Sequence, residues 1–184
     1  IAQLADQAVT RLTGPGITQA ERVNRFRVMF NDGFDVQAIA RFAMGRYYNT
    51  ATPAEQTEYL KLFEDLIVQT YATRFAEYAG ESLRLLGTRP GPNGDTIVGS
   101  ELVRPSGAPV QVQWRVTNVA GAQKVNDIVV EGVSMILIHR DDFAAVIQRG
   151  GGKVEALLAN LRTKTTQNAA TANQPNRNAP PPRR

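Results

Sequence analysis

His139 is the single histidine of the chain, Asp142 stands one helical turn beyond it, and Ser134 precedes it by five residues. A carboxylate-oriented imidazole can serve as a general base, and a hydroxyl within its reach can become a nucleophile. The spacing argues against that use. Ser134 lies in Glu131-Gly132-Val133-Ser134-Met135 rather than in a Gly-x-Ser-x-Gly elbow. Five residues along one helix turn it about 140° from His139, at roughly 100° per residue. Ser134 reads better as a helix cap, and His139 as a half-exposed boundary residue.

The remaining candidates fare no better. Gly150-Gly151-Gly152-Lys153 resembles a phosphate loop, but Val154 stands where Ser or Thr must hold the metal, and a helix precedes it instead of a strand. It reads as an interhelical hinge. One histidine, no cysteine and scattered acids offer no ligand cluster for a metal. Asp127 and Glu131 share a strand face, but each reads as a hydrogen-bond acceptor at the sheet edge or strand end. The sequence therefore predicts no catalytic residue, no metal and no cofactor.

Charge excludes another class. The formal net charge is +4 over 184 residues. Residues 163–184 contain Lys164, Arg177, Arg183 and Arg184 and no acid, so they account for all of it. Residues 1–162 are balanced, and four cations spread over the tail are too sparse for a nucleic-acid footprint. The tail also lacks large aliphatic and aromatic side chains, and is expected to be a disordered, basic, Pro/Asn-rich extension. No apolar run approaches the roughly 20 residues that span a bilayer as a helix.

What remains is apolar surface, and the periodicity says which elements carry it. A short helix is expected over residues 1–13, then a second from a Thr18/Glu21 capping box through Val23, Phe26 and Phe30. Asp35 caps a third helix to about Met44. Thr52-Pro53-Ala54-Glu55 starts a long fourth helix reaching about Tyr78, with Tyr59, Phe63, Leu66/Ile67, Thr70/Tyr71, Phe75 and Tyr78 on one stripe. The period then changes from 3.6 to 2. Strands are expected at 82–89, 96–104, 109–118 and 122–131, joined by Gly-, Pro- and Asn-rich turns of hairpin length. Two helices, about 133–149 and 153–163, close the domain. The expected fold is α+β: a four-stranded antiparallel meander packed by helices over residues 1–162.

Several segments carry a resemblance in unbroken order from about residue 17 to 162. Lys124-Val125-Asn126-Asp127, three apolar residues and Glu131-Gly132-Val133-Ser134 form the most specific of them. Asp35-Val36-Gln37-Ala38-Ile39-Ala40-Arg41-Phe42 with Gly45-Arg46-Tyr47-Tyr48 is a second. Thr52-Pro53-Ala54-Glu55-Gln56 followed by Phe63, Leu66, Thr70-Tyr71 and Tyr78-Ala79-Gly80 is a third, and Pro109 to Arg115 a fourth. Together they resemble the MlaC family of periplasmic phospholipid carriers. Gln123 departs from the family pattern, where Trp is common, and His139 falls at a variable position.

The resemblance implies a periplasmic carrier whose signal peptide has been removed. It would shuttle a phospholipid between an outer-membrane lipoprotein–porin complex and an inner-membrane ABC transporter complex bearing MCE domains. The Pro-Asn-Gly-Asp turn and the Pro-rich tail keep open the hopanoid-associated branch, with a hopanoid-type lipid as cargo. Moving a two-chain lipid into water costs on the order of 20 kcal/mol, at ~0.8 kcal/mol per methylene. A carrier must therefore hold an apolar cavity between sheet and helices. The implied lipid-binding residues are Phe63, Ile67 and Tyr71 on the long helix, Val112, Trp114 and Val116 on the third strand, and Ile128 and Val130 on the fourth. The alternative is that these side chains pack on one another, giving a protein-interaction domain with a closed core. A small enzyme built in a cavity of this shape ranks third.

Overall fold

Side-chain acceptors begin the helices in the computed structural model, which describes residues 1–78 and 80–172. After α1 (Ala2–Leu12), Thr18 accepts from the Glu21 amide at 3.2 Å to start α2 (Gln19–Gly33). Asp35 accepts from the Ala38 amide at 3.2 Å to start α3 (Val36–Met44), which leads into a 3-10 turn, Gly45–Thr50. Thr52 and Glu55 cap each other reciprocally at the start of α4 (Pro53–Arg74). That helix ends four residues earlier than its stripe suggests, because Phe75–Glu77 tightens into a 3-10 turn. Ala79, part of one family-like segment, lies outside the described residues.

The sheet is an antiparallel meander in the order β1-β2-β3-β4-β5. Its strands are β1 (Ser82–Pro90), β2 (Thr96–Val103), β3 (Val110–Val119), β4 (Ala122–Val130) and β5 (Val133–Ser134). The expectation of four strands is thus corrected to five. A strand of two residues has no period to read, and the turn ahead of it hides it. Glu131 at φ 49° and Gly132 at φ 80° both occupy the left-handed region. This is the two-residue hairpin geometry that folds Val133 back onto Val130. From β5 the chain enters α5 (Met135–Arg149) and then α6 (Val154–Ala172).

The helices bury one another. Tyr59, Phe63 and Val68 of α4, Ile147 of α5, and Leu157, Leu158 and Leu161 of α6 are all fully buried. The Tyr59 hydroxyl donates to the Ala40 carbonyl at 2.7 Å, tying α4 to α3, and burial pushes its pKa well above the usual tyrosine value. On the outside, Arg162 reaches both carboxylate oxygens of Glu58, at 2.6 and 2.9 Å, and clamps α6 to α4. Among the described residues, the buried cluster that joins the helices includes no strand side chain. The sheet is therefore not a filler of this core.

α6 also corrects the tail boundary. Helix continues to Ala172, so residues 163–172 are ordered, and the rest of the expected tail, 173–184, lies outside the described residues. Composition misjudged this stretch because its anchoring is polar. Thr165 is buried and donates to the Leu161 carbonyl at 2.9 Å, while the Asn168 amide reaches Thr70 on α4 at 3.5 Å. A chain ended after Arg162 is expected to melt below one ended after Ala172. The loss of about 1 kcal/mol corresponds to roughly 2–4 °C in a protein of this size, measurable by calorimetry. Equal melting temperatures would show that the last turns of α6 contribute nothing.

Candidate functional site

Two adjacent strands build the floor of the site. On β3, Val112 and Trp114 sit directly across from Val130 and Ile128 of β4, so these four share a face. Beyond them the register shifts between Arg115 and Val116, which leaves Asn126 as the extra residue of a bulge on β4. The Trp114 indole N–H donates to the Ser100 hydroxyl at 2.9 Å, and Ser100 in turn donates to the Val112 carbonyl at 2.9 Å. The indole is thus tethered to the sheet, with its polar edge satisfied and its ring free to face an apolar space.

One knot fixes how α5 leaves the sheet. Asp127, 4% exposed, accepts from the Ser134 hydroxyl at 2.7 Å and the Ile136 amide at 3.3 Å. Ser134 accepts from the Leu137 amide at 3.2 Å as the N-cap. Both groups bind the first turn of α5, and Ser134 serves there as its cap. Glu131 likewise accepts from the Gln111 amide across the ladder. A cluster containing Ser134, His139 and Asp142 does not assemble.

Between floor and helices lies a cavity of about 300 Å³ with almost wholly apolar walls. This is at the lower end of the ~300–1,000 Å³ of small-molecule sites. Trp114, Ile128 and Val130 line it from the sheet, and Phe63, Ile67 and Tyr71 line it from α4. Val112 and Val116 do not reach it. Val112 is buried in the ladder between Ser100 and Val130, and Val116 is half-buried beside the bulge.

Other walls carry residues that sequence reasoning did not assign to the site. Phe26, Met29 and Phe30 of α2 face the cavity, as do Leu4, Ala5 and Ala8 of α1. Ile39 of α3 and Ile136 of α5 complete the side. Their helical spacing was legible as a buried face. What that face meets was not, since periodicity reports burial and not the identity of the partner. α1 is held in place by Leu4, which lies so close to Gly33 that a Cβ there would come within 2.9 Å of it.

His139 also belongs to the wall, and this places it more specifically than a boundary residue. Its ring stands 6.4 Å from Phe63 and 5.9 Å from Phe143, centroid to centroid. Burial lowers its pKa below the usual value. Asp142 opposes that shift and Lys164 adds to it. The lowered pKa favours the neutral imidazole, which stands in the wall as an aromatic element. The arrangement can enclose an apolar molecule.

Comparison with known proteins places this geometry. Residues 2–163 match the family model described as MlaC protein. The toluene tolerance protein ttg2D of Pseudomonas putida is 25% identical over 125 residues, covering 67% of this chain and 58% of that protein. The intermembrane phospholipid transport system binding protein MlaC of Haemophilus influenzae is 24% identical over 128 residues, 67% of this chain and 59% of that one. The chain thus spans under three-fifths of these curated relatives. The phospholipid-binding protein of Ralstonia solanacearum, solved in complex with a phospholipid, superposes with a TM-score of 0.81 at 25% identity. That match covers 91% of this chain and 95% of the other.

The depressed pKa of His139 sets a sign for pH dependence. Between the unfolded value near 6.5 and the lower folded value, the unfolded chain binds the extra proton. Stability is therefore present above about pH 6.5 and is lost as pH falls below it. Replacing His139 with Phe should flatten this part of the melting-temperature profile between about pH 7 and 5. An unchanged slope in the variant would mean that other groups carry the acid sensitivity.

Proposed function

The chain belongs to the MlaC family, and we propose that it is the lipid-binding component of a phospholipid transport system, holding acyl chains in the cavity between sheet and helices. It performs no chemistry on its cargo. One observation carries this reading: the tethered Trp114 with Ile128 and Val130 faces Phe63, Ile67 and Tyr71 across open apolar space, while the helices close their core without the sheet. A protein-interaction domain with a closed core would fill that space with side chains. The phospholipid in the Ralstonia solanacearum relative supports the same cargo class here.

On this reading the protein works in the periplasm as a soluble shuttle. It takes a phospholipid, or a hopanoid-type lipid, between an outer-membrane lipoprotein–porin complex and an inner-membrane ABC transporter complex with MCE domains. Transfer through water would otherwise cost about 0.8 kcal/mol for each exposed methylene. Lipid extraction and mass spectrometry of the purified protein test the reading and identify the cargo. The expected result is near-stoichiometric membrane lipid. A protein that is purified empty and takes up no lipid from vesicles is not a carrier.

Two tryptophan substitutions separate cavity from core. Ile128→Trp places its ring in the cavity, so lipid loading should fall several-fold while the lipid-free protein melts within a few degrees of wild type. Val112→Trp enlarges a buried ladder position and should cost about 1–3 kcal/mol through overpacking. Thermal melts of the lipid-free proteins, alongside loading with a fluorescent phospholipid, read both effects. Equal destabilisation by the two substitutions would show that Ile128 is ordinary core.

A further inference from the structure

The helix pair that lines the cavity has a second, outward face. Ile39 and Ile136 point to the cavity, whereas Arg41 and Phe42 of α3 and Arg140 of α5 border a separate groove of about 440 Å³. Gly45, Tyr48 and Asn49 complete it. Each arginine lies against an aromatic ring: Arg41 is 5.5 Å from the Tyr48 centroid, Arg140 is 5.1 Å from Phe42, and neighbouring Arg46 is 5.1 Å from Tyr47. Among the described residues, none of these arginines is paired with a carboxylate. Asp141 and Asp142 follow Arg140 along α5 and do not neutralise it. Gly45 sits at φ 60°, in the left-handed region that favours glycine, at the edge of the groove beside Arg140.

We propose that this face docks the protein on a bilayer bearing anionic phospholipid headgroups. Arg46 also donates to the Tyr47 hydroxyl at 3.2 Å, whereas stacking holds the Arg41 and Arg140 guanidinium groups in place and leaves N–H groups that match phosphate oxygens. Beside the arginines, Phe42 in the groove and Leu137, one turn before Arg140 on α5, are 43 and 46% exposed. Tyr47 and Tyr48 add the amphipathic rings that favour a membrane interface. Basic and apolar side chains mixed on one helical surface are the composition of an interfacial anchor. A lipid surface presents a phosphate to each arginine whatever their spacing, whereas one acidic protein segment would have to match that spacing. Charge complementarity therefore favours the bilayer.

The test is co-sedimentation of the full chain with phosphatidylcholine vesicles, with and without phosphatidylglycerol. Loading of a fluorescent phospholipid is measured on the same preparations. Wild type should bind the anionic vesicles preferentially. Arg41→Gln with Arg140→Gln should weaken that binding on the order of tenfold, since each basic residue near an anionic surface contributes substantially. Phe42→Ala should weaken it several-fold. Lipid loading should be unchanged in both variants, because neither site lines the cavity, so failed docking is distinguishable from a failed carrier. No preference for anionic vesicles by wild type overturns the proposal without reference to any variant. Undiminished binding by the double variant overturns it too and assigns the attraction to Arg177, Arg183 and Arg184. Binding to polyglutamate as tight as to anionic vesicles overturns it in favour of an acidic protein partner.

Discussion

Packing among the helices, centred on Tyr59, Phe63 and Ile147, is the constraint on which the rest depends. Edge-on contacts of Phe143 with Tyr59 at 6.2 Å and with Phe63 at 6.2 Å close that layer without help from the strands. In most α+β domains the sheet face and the helix stripes fill one another's gaps, because interiors pack as densely as organic crystals. Here the helices are satisfied first, and the sheet is left standing off them. A void of this kind is costly when empty, on the order of 24 cal/mol per Å³ in engineered cases. Occupancy by an apolar ligand offsets the cost through ordinary binding linkage. Stability and ligand occupancy are therefore two views of the same space.

A second interaction decides which side chains meet that space. Asp127 spends its carboxylate on Ser134 and on the Ile136 amide, so the first turn of α5 is pinned to β4. Its burial is tolerable because hydrogen bonds satisfy both oxygens. With that turn fixed, Ile136 and His139 line the cavity while Arg140 borders the groove beside α3. The Glu-Gly-Val-Ser run that dominates the sequence is thus a hairpin turn, a short strand and a helix cap in immediate succession. Ser134, which could have suggested a nucleophile, and Asp127 are the parts that make this junction rigid.

Much of the fold was legible before the structure. The reciprocal Thr52/Glu55 cap, the Asp35 and Thr18 caps and the change of period after Tyr78 each rest on local rules, and local rules survive folding. The apolar faces carrying Phe63, Ile67 and Tyr71, and Trp114, Ile128 and Val130, were readable for the same reason. Val112 and Val116, expected on the same face, fall outside the cavity lining, a distinction that alternation cannot make because it treats a strand as uniform. The bulge at Asn126 and the Ser100–Trp114 tether decide which positions reach the cavity, and both arise from cross-strand geometry. α1 was readable as an amphipathic helix, but that it walls the cavity depends on Leu4 meeting Gly33, a contact 29 residues apart in the sequence. The last turns of α6 escaped notice because Asn168 meets Thr70 of α4 through a polar contact, whereas composition counts only apolar ones.

The two faces of the α3–α5 pair set a mechanical condition on any exchange of cargo. α5 is held at its start by Asp127 and Ser134. At its end, Gly150 packs so closely on α6 that an added Cβ would come within 2.1 Å of the Ala156 Cβ. A helix fixed at both ends does not bend locally to accommodate a ligand. Force applied to Arg140 on the outside would therefore move Ile136 and His139 on the inside as one body with it. α1 is braced as well, since Arg22 and Arg25 of α2 donate to the Leu12 and Arg11 carbonyls at 2.9 and 3.0 Å, so the wall formed by Ala5 and Ala8 is also held from outside the cavity.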